Sequence, residues 1–118
     1  MNLFNQSNGK ILADNILVAS TFSTRLRGLM FTRVFPSNSA MHIIPCRSIH
    51  TFFMNYAIDV VYLDANFQIV AIDEMVAPRK FGKIYKNTVS VVELPAGKVA
   101  DTKTKVGHYF KKTERGEM

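Results

Sequence analysis

An imidazole, a thioether and a carboxylate interrupt the most apolar part of this sequence. His50, Met54 and Asp59 lie in the stretch CRSIHTFFMNYAIDVVYLD at 46–64. If 49–54 is extended, alternation puts His50, Phe52 and Met54 on one face and Ile49, Thr51 and Phe53 on the other. An imidazole between an aromatic ring and a thioether suits the wall of a pocket. His50 can act there as a general base, or sit in the core bonded to a backbone carbonyl. Asp59 opens the next predicted strand, where a carboxylate must find water or a donor. It can orient His50, bind a cationic group, or cap a strand end by accepting backbone N–H groups. Glu93 shares a predicted strand face with Val89 and Val91. It needs a partner, and Arg27 is the candidate because an arginine fork matches a carboxylate. The catalytic candidates are therefore His50, Asp59 and Glu93, and the binding candidates are Arg27, His50, Met54 and Asp59.

Other constellations are weaker. Cys46 and His50 are four apart, and His42 and His108 add imidazoles, but there is no C-x-x-C or H-E-x-x-H pattern. No metal site is expected, and no cofactor. There is no glycine loop to cradle phosphate and no G-x-S-x-G elbow. Cys46, beside Pro45, reads as a small inert residue rather than a nucleophile. The basic segments 79–86 and 98–112 carry Phe81, Tyr85, Tyr109 and Phe110. Cations interleaved with aromatics can hold a nucleic-acid strand, but a solvated loop and tail are the favoured reading.

These residues need a frame. The segment 10–19, KILADNILVA, reads as one strand or two, bent at Asp14 and Asn15. Ser20 or Thr21 can cap a helix over 20–32, with Phe22, Leu26, Leu29 and Met30 on one face. Strands are predicted at 40–44, 49–54, 58–63, 67–72, 88–94 and 107–110. Those at 58–63 and 67–72 form a hairpin, with Asn66 able to take a left-handed conformation. The segment 76–87 is a polar, basic loop of a length that is often functional. Pro95, Ala96 and Gly97 break the strand at 88–94, and 98–104 follows as a helical turn. The charged end, 111–118, is expected to fray. Short strands and one main helix near 20–32 argue an α+β fold. Its sheet should be mostly antiparallel and bent, or a partial barrel.

The chain has 118 residues, which fits one domain over 1–118. Its 15 Lys and Arg against 9 Asp and Glu give a net charge of +6, read as a basic surface. It has no apolar run long enough for a spanning helix. A single cysteine excludes an internal disulfide framework. The start, MNLFNQSNGK, lacks the features of a secretory signal, so a cytoplasmic location is expected.

Four segments together resemble a known family: RLRGLMF (25–31), the 46–64 stretch, FQIVAI (67–72) and VVELPAGKVADTKTKVGH (91–108). They look like domain-of-unknown-function family 192, small bacterial and archaeal proteins, over residues 10–112. The resemblance implies a compact α+β domain. It marks Gly28, Leu29, Met30, His50, Met54, Asp59, Glu93 and Gly97 as motif positions and implies no reaction. His108 stands where the family pattern often has an aspartate, and Ala57-Ile58-Asp59 stands for its P-L-D. The resulting expectation is a binding domain for a small molecule or peptide, with a cleft near His50, Met54 and Asp59. A hydrolase or transferase with His50 as base ranks second. A nucleic-acid accessory role for loop 79–86 ranks third.

Overall fold

The runs rich in valine and isoleucine become strands, as their β-branched side chains favour. The computed structural model describes residues 1–19, 36–47, 49, 51 and 54–114. Its elements are β1 (Asn2–Asn5), β2 (Ile11–Ala13), β3 (Asn15–Ala19), β4 (Ser39–Ile43), β5 (Ile58–Leu63), β6 (Ile69–Val76), β7 (Ser90–Pro95), α1 (Lys98–Asp101) and β8 (Phe110–Thr113). They form a five-stranded sheet, ordered β3-β4-β7-β5-β6, and a three-stranded sheet, ordered β2-β1-β8. All pairs are antiparallel except β3 with β4.

β5 is buried along its whole length because both of its faces are covered. Ile58, Val60 and Tyr62 pack on one face with Met41, Ile49, Met54 and Val91. Val61 and Leu63 pack on the other with Leu3, Leu12, Val99 and Phe110, which come from the small sheet and α1. A strand enclosed on both faces reads as a continuous apolar run rather than an alternation.

The broad class, α+β with a dominant and mostly antiparallel β content, matches the sequence. The expected single bent sheet or partial barrel is instead two sheets. The bend at Asp14 separates β2 from β3, and the 58–72 hairpin is present as β5 and β6. Its left-handed residue is Phe67, with φ 62°, rather than Asn66. Asp64 Oδ1 takes the N–H groups of Asn66 and Gln68, which moves the reversal one residue on. The expected strand at 49–54 is not formed by Ile49, Thr51 or Met54. Met54 N–H donates to Thr51 O at 3.1 Å, which is a turn. The last strand lies later than expected, at Phe110–Thr113. Lys111 and Lys112 therefore pair with β1 instead of fraying. The helix expected over 20–32 lies outside the described residues.

Candidate functional site

Asp59 is fully buried and acts as a clamp. Its Oδ1 accepts the Met75 N–H at 2.9 Å, and its Oδ2 accepts those of Gly97 at 3.1 Å and Val99 at 2.9 Å. Met75 has φ 55° and lies where the β5–β6 register shifts, so its N–H has left the ladder. Gly97, φ 92°, and Val99 lie at the start of α1, where N–H groups lack helical partners. One carboxylate thus satisfies a bulge and a helix start together, which is the capping role open to it from sequence.

Met54 lies on the opposite face, in the cluster with Ile58 and Val60. Asp59 points with Val61 and Leu63 toward α1, since it alternates with Ile58 and Val60 along β5. The structure therefore does not bring Met54 and Asp59 into one cleft. Glu93 is fully buried in β7, beside Met41 of β4 and Val60 of β5. Arg27 and His50 lie outside the described residues.

The described residues do assemble a surface elsewhere, around loop 77–89. Thr51 holds its start: Thr51 Oγ1 donates to Ala77 O at 2.7 Å and accepts from Lys80 N–H at 2.9 Å. The backbone of Thr51 bonds Arg79 N and Lys80 O, both at 2.8 Å, and Gly82 N–H donates to Ile49 O at 2.7 Å. Gly82 must be glycine at this contact, because a Cβ would lie 2.8 Å from Ile49 O and 3.1 Å from the Tyr62 hydroxyl. Farther along, Tyr85 donates to Asp73 Oδ1 at 2.6 Å, and Tyr62 donates to Asp73 Oδ2 at 3.0 Å. The two tyrosine rings meet edge to face at 4.6 Å. The hydrogen bond to Asp73, helped by burial, pushes the Tyr85 phenol up to about 12. Burial, with Asp73 beside it, holds Tyr62 higher still. Both phenols therefore stay protonated donors at neutral pH.

The loop projects outward from this base. Phe81 is 78% exposed and Ile84 79%, with Arg79, Lys80, Lys83 and Lys86 interleaved. The loop helps to line two grooves. One, of about 470 Å³, is lined by Tyr62, Asp73, Val76, Lys80, Phe81 and Gly82 among others. The other, of about 560 Å³, includes Arg47, Asn66, Tyr85, Lys86 and Thr88 in its wall.

Sequence reading missed one further cluster. Lys112 Nζ lies 2.6 Å from His42 Nδ1, and the Phe67 ring packs edge-on against the imidazole at 5.4 Å. The same ring lies 5.9 Å from the ammonium. Burial, then the neighbouring Lys112, lowers the His42 pKa to about 4. Burial also lowers that of Lys112. The neutral imidazole accepts from Lys112 through Nδ1, so its proton is on Nε2. Among the described residues no three His, Cys, Asp or Glu side chains gather as metal ligands. No helix there is long and apolar enough to cross a membrane.

The sequence profile of the DUF192 family, described as Uncharacterized ACR, matches residues 3–111. A UPF0127 protein of Thermococcus sibiricus is 29% identical over 113 residues, covering 89% of this chain and 70% of that protein. One from Pyrococcus furiosus is 28% identical over 110 residues, covering 89% and 92%. One from Pyrococcus horikoshii is 36% identical over 73 residues, covering 58% and 62%. Among solved structures, a Sinorhizobium meliloti protein described as a candidate transcription regulator superposes with a TM-score of 0.74 at 21% identity. That match covers 93% of this chain and 89% of the other. A Novosphingobium aromaticivorans protein of unknown function gives a TM-score of 0.77 at 16% identity, covering 94% and 82%. At these identities the two structures share the fold alone.

Proposed function

The chain belongs to the DUF192 family, a family of unknown function, and we propose that it is a binding domain for a small molecule or an extended peptide. Its contact surface is loop 77–89 with the two grooves that the loop helps to line. One observation carries this reading: the loop is fastened at its base by Thr51, Ile49 and Asp73, yet most of the surface of Phe81 and Ile84 is exposed. A loop with so many internal bonds has lost most of its conformational entropy before a ligand arrives, and such preorganisation favours binding. Large apolar side chains held in solvent among polar neighbours mark interaction sites.

The motif residues support this surface in different ways. Asp59 and Glu93 are structural, being enclosed in the sheet. His50 stands in sequence between Ile49 and Thr51, the two residues that fasten the loop, and so remains the imidazole proposed for this surface. Arg27 remains a binding candidate. The alternative of a hydrolase or transferase with His50 as base needs Asp59 or Glu93 to orient it. Both Asp59 oxygens are already taken by backbone N–H groups, and Glu93 is fully buried inside the sheet, which disfavours that reading. The single cysteine fits a reducing compartment, and we place the protein in the cytoplasm.

The test is selection from a phage-displayed library of short peptides, followed by titration of the winners into wild type and a Phe81→Ser, Ile84→Ser variant. The variant should stay folded, with its melting temperature lowered by a few degrees at most because both side chains are mostly exposed, and should lose binding. Equal binding by the variant would overturn the reading. A labelled single strand of DNA is the control. Tight binding of that strand, falling steeply as salt rises, would favour the nucleic-acid role instead.

A further inference from the structure

β6 is the outer strand of the five-stranded sheet, with β5 as its neighbour there. The start of its outer edge is paired within the chain. Ile69 N–H donates to His108 O at 2.8 Å, Gly107 N–H donates to Ile69 O at 2.9 Å, and Phe110 N–H donates to Phe67 O at 2.9 Å. Among the described residues, no strand or loop bonds that edge from Val70 to Glu74. An edge of this kind is a template for a further strand.

The groove of about 470 Å³ follows the same stretch, and its wall takes in residues 72–77 without a gap. Side chains alternate along a strand. Ile72 packs with the cluster on the far face, whereas Asp73 turns to Tyr62 and Tyr85 on the loop face. A groove that touches both follows the backbone of the strand rather than one face of the sheet. Residues 80–83 form the facing wall. Lys80, Phe81 and Lys83 are exposed there, so this wall sets an aromatic ring between two cations. Asp73 is engaged by both tyrosine hydroxyls, and Glu74 alternates to the far face. The loop side of the groove is therefore basic. Two copies of the chain are poorly matched here. Antiparallel pairing of β6 with β6 would bring the acids at 73 and 74 of both together, and like charges across a ladder oppose it.

We propose that an extended peptide adds to the sheet as a strand on β6, between that edge and residues 80–83. Its backbone pairs with β6 between Val70 and Glu74. On the loop side it carries an apolar residue flanked at alternate positions by two acids, which meet Phe81 between Lys80 and Lys83. On the far side an aliphatic residue meets Ile72. Backbone pairing supplies affinity, and the alternating side chains supply the choice of sequence. The proposal rests on the binding reading and names the partner and its mode of contact.

The probe is the capped peptide GEVFVEG, with GKVFVKG as its charge-reversed control, titrated into the ¹⁵N-labelled full chain. GEVFVEG should shift the amides of 70–76 and 80–83 and slow amide exchange within 70–74. GKVFVKG should bind about ten-fold more weakly, and Lys80→Glu, at an exposed position, should narrow that gap. Two further forms of GEVFVEG decide the mode of contact. One is N-methylated at both glutamates and the phenylalanine, the other at both valines. Successive N–H groups of a strand point to opposite sides, so one form keeps every donor that faces β6 and the other loses them. One should bind like the parent and the other at least about ten-fold more weakly. Equal effects of the two patterns, whether both forms bind or neither does, overturn strand addition. GKVFVKG binding as tightly as GEVFVEG, or slowed exchange confined to residues outside 70–74, overturns the proposal too. Shifts at 70–74 on raising the protein concentration alone would make a second copy the occupant, with the same consequence. Selected peptides that bind loop 77–89 while GEVFVEG leaves the spectrum unmoved overturn the proposal and leave the binding reading standing. Silence from selected peptides and GEVFVEG alike defeats both.

Discussion

Acid should act on this fold through His42. Its pKa falls from 6.5 to about 4 in the folded protein, by burial first and by Lys112 second. The unfolded chain therefore takes up this proton before the native state does. The contribution is fully present above about pH 6.5 and is lost as the pH falls through about 4. A shift of about 2.5 units corresponds to about 3 kcal/mol, at 1.36 kcal/mol per unit. That is a large part of the stability of a domain this size. His42→Asn isolates the effect. The asparagine oxygen can still accept from Lys112, which keeps the half-buried ammonium paired, but it does not titrate. Its smaller side chain lowers stability at every pH, and that constant offset does not enter the comparison. The assay is urea denaturation followed by circular dichroism at pH 7.0, 5.5 and 4.0, at fixed ionic strength. Wild type should lose about 3 kcal/mol more than the variant between the first and last of these. Parallel pH profiles, or a native His42 that titrates near 6.5 by NMR, would refute the reasoning.

Substitutions at three further joints test the structure. Asp59→Ala orphans the N–H groups of Met75, Gly97 and Val99. It should cost at least about 3 kcal/mol, a fall of roughly 10 °C in melting temperature at about 4 °C per kcal/mol; a fall under 3 °C would show the clamp to be idle. Gly82→Ala drives a Cβ against Ile49 O and the Tyr62 hydroxyl. It should cost about 1–3 kcal/mol, with faster amide exchange at 79–87, and unchanged exchange there would contradict the close approach. Glu93, buried between Met41 and Val60, is proposed to pair with Arg27. Glu93→Ala should cost about 3–5 kcal/mol, the Arg27→Ala, Glu93→Ala double variant should lose less than the sum, and strict additivity would separate the two residues.

Local signals in the sequence fared differently from long-range ones. The bend at Asp14, the 58–72 hairpin and the break at Gly97 each depend on a few adjacent residues, and each is present. The small sheet was not legible because β1 pairs with β8, and Asn2 meets Thr113 across nearly the whole chain. No local pattern in NLFN or FKKT announces that contact. His42 and Lys112 are 70 residues apart, so their pairing was equally hidden. The sequence could still have raised a question about His42, since an imidazole in the apolar run AMHII must find a partner. The alternation read into 49–54 was misleading because it assumed an extended backbone where Met54 turns back on Thr51. That assumption joined Met54 to the site. Length and composition mark the loop as a functional candidate over 76–87. Its fastening to Thr51 and Asp73 requires the folded sheet.

The central claim is that loop 77–89 and its grooves form the binding surface. Its most direct test is to map ligand contacts on the full chain without choosing the ligand in advance. Backbone amide spectra of ¹⁵N-labelled protein, recorded against a diverse set of small fragments and short peptides, give that map. The account predicts perturbations that converge on Arg47, Asn66, Asp73 and residues 80–89. Perturbations that gather away from this loop, or a chain that responds to no member of the set, would contradict it.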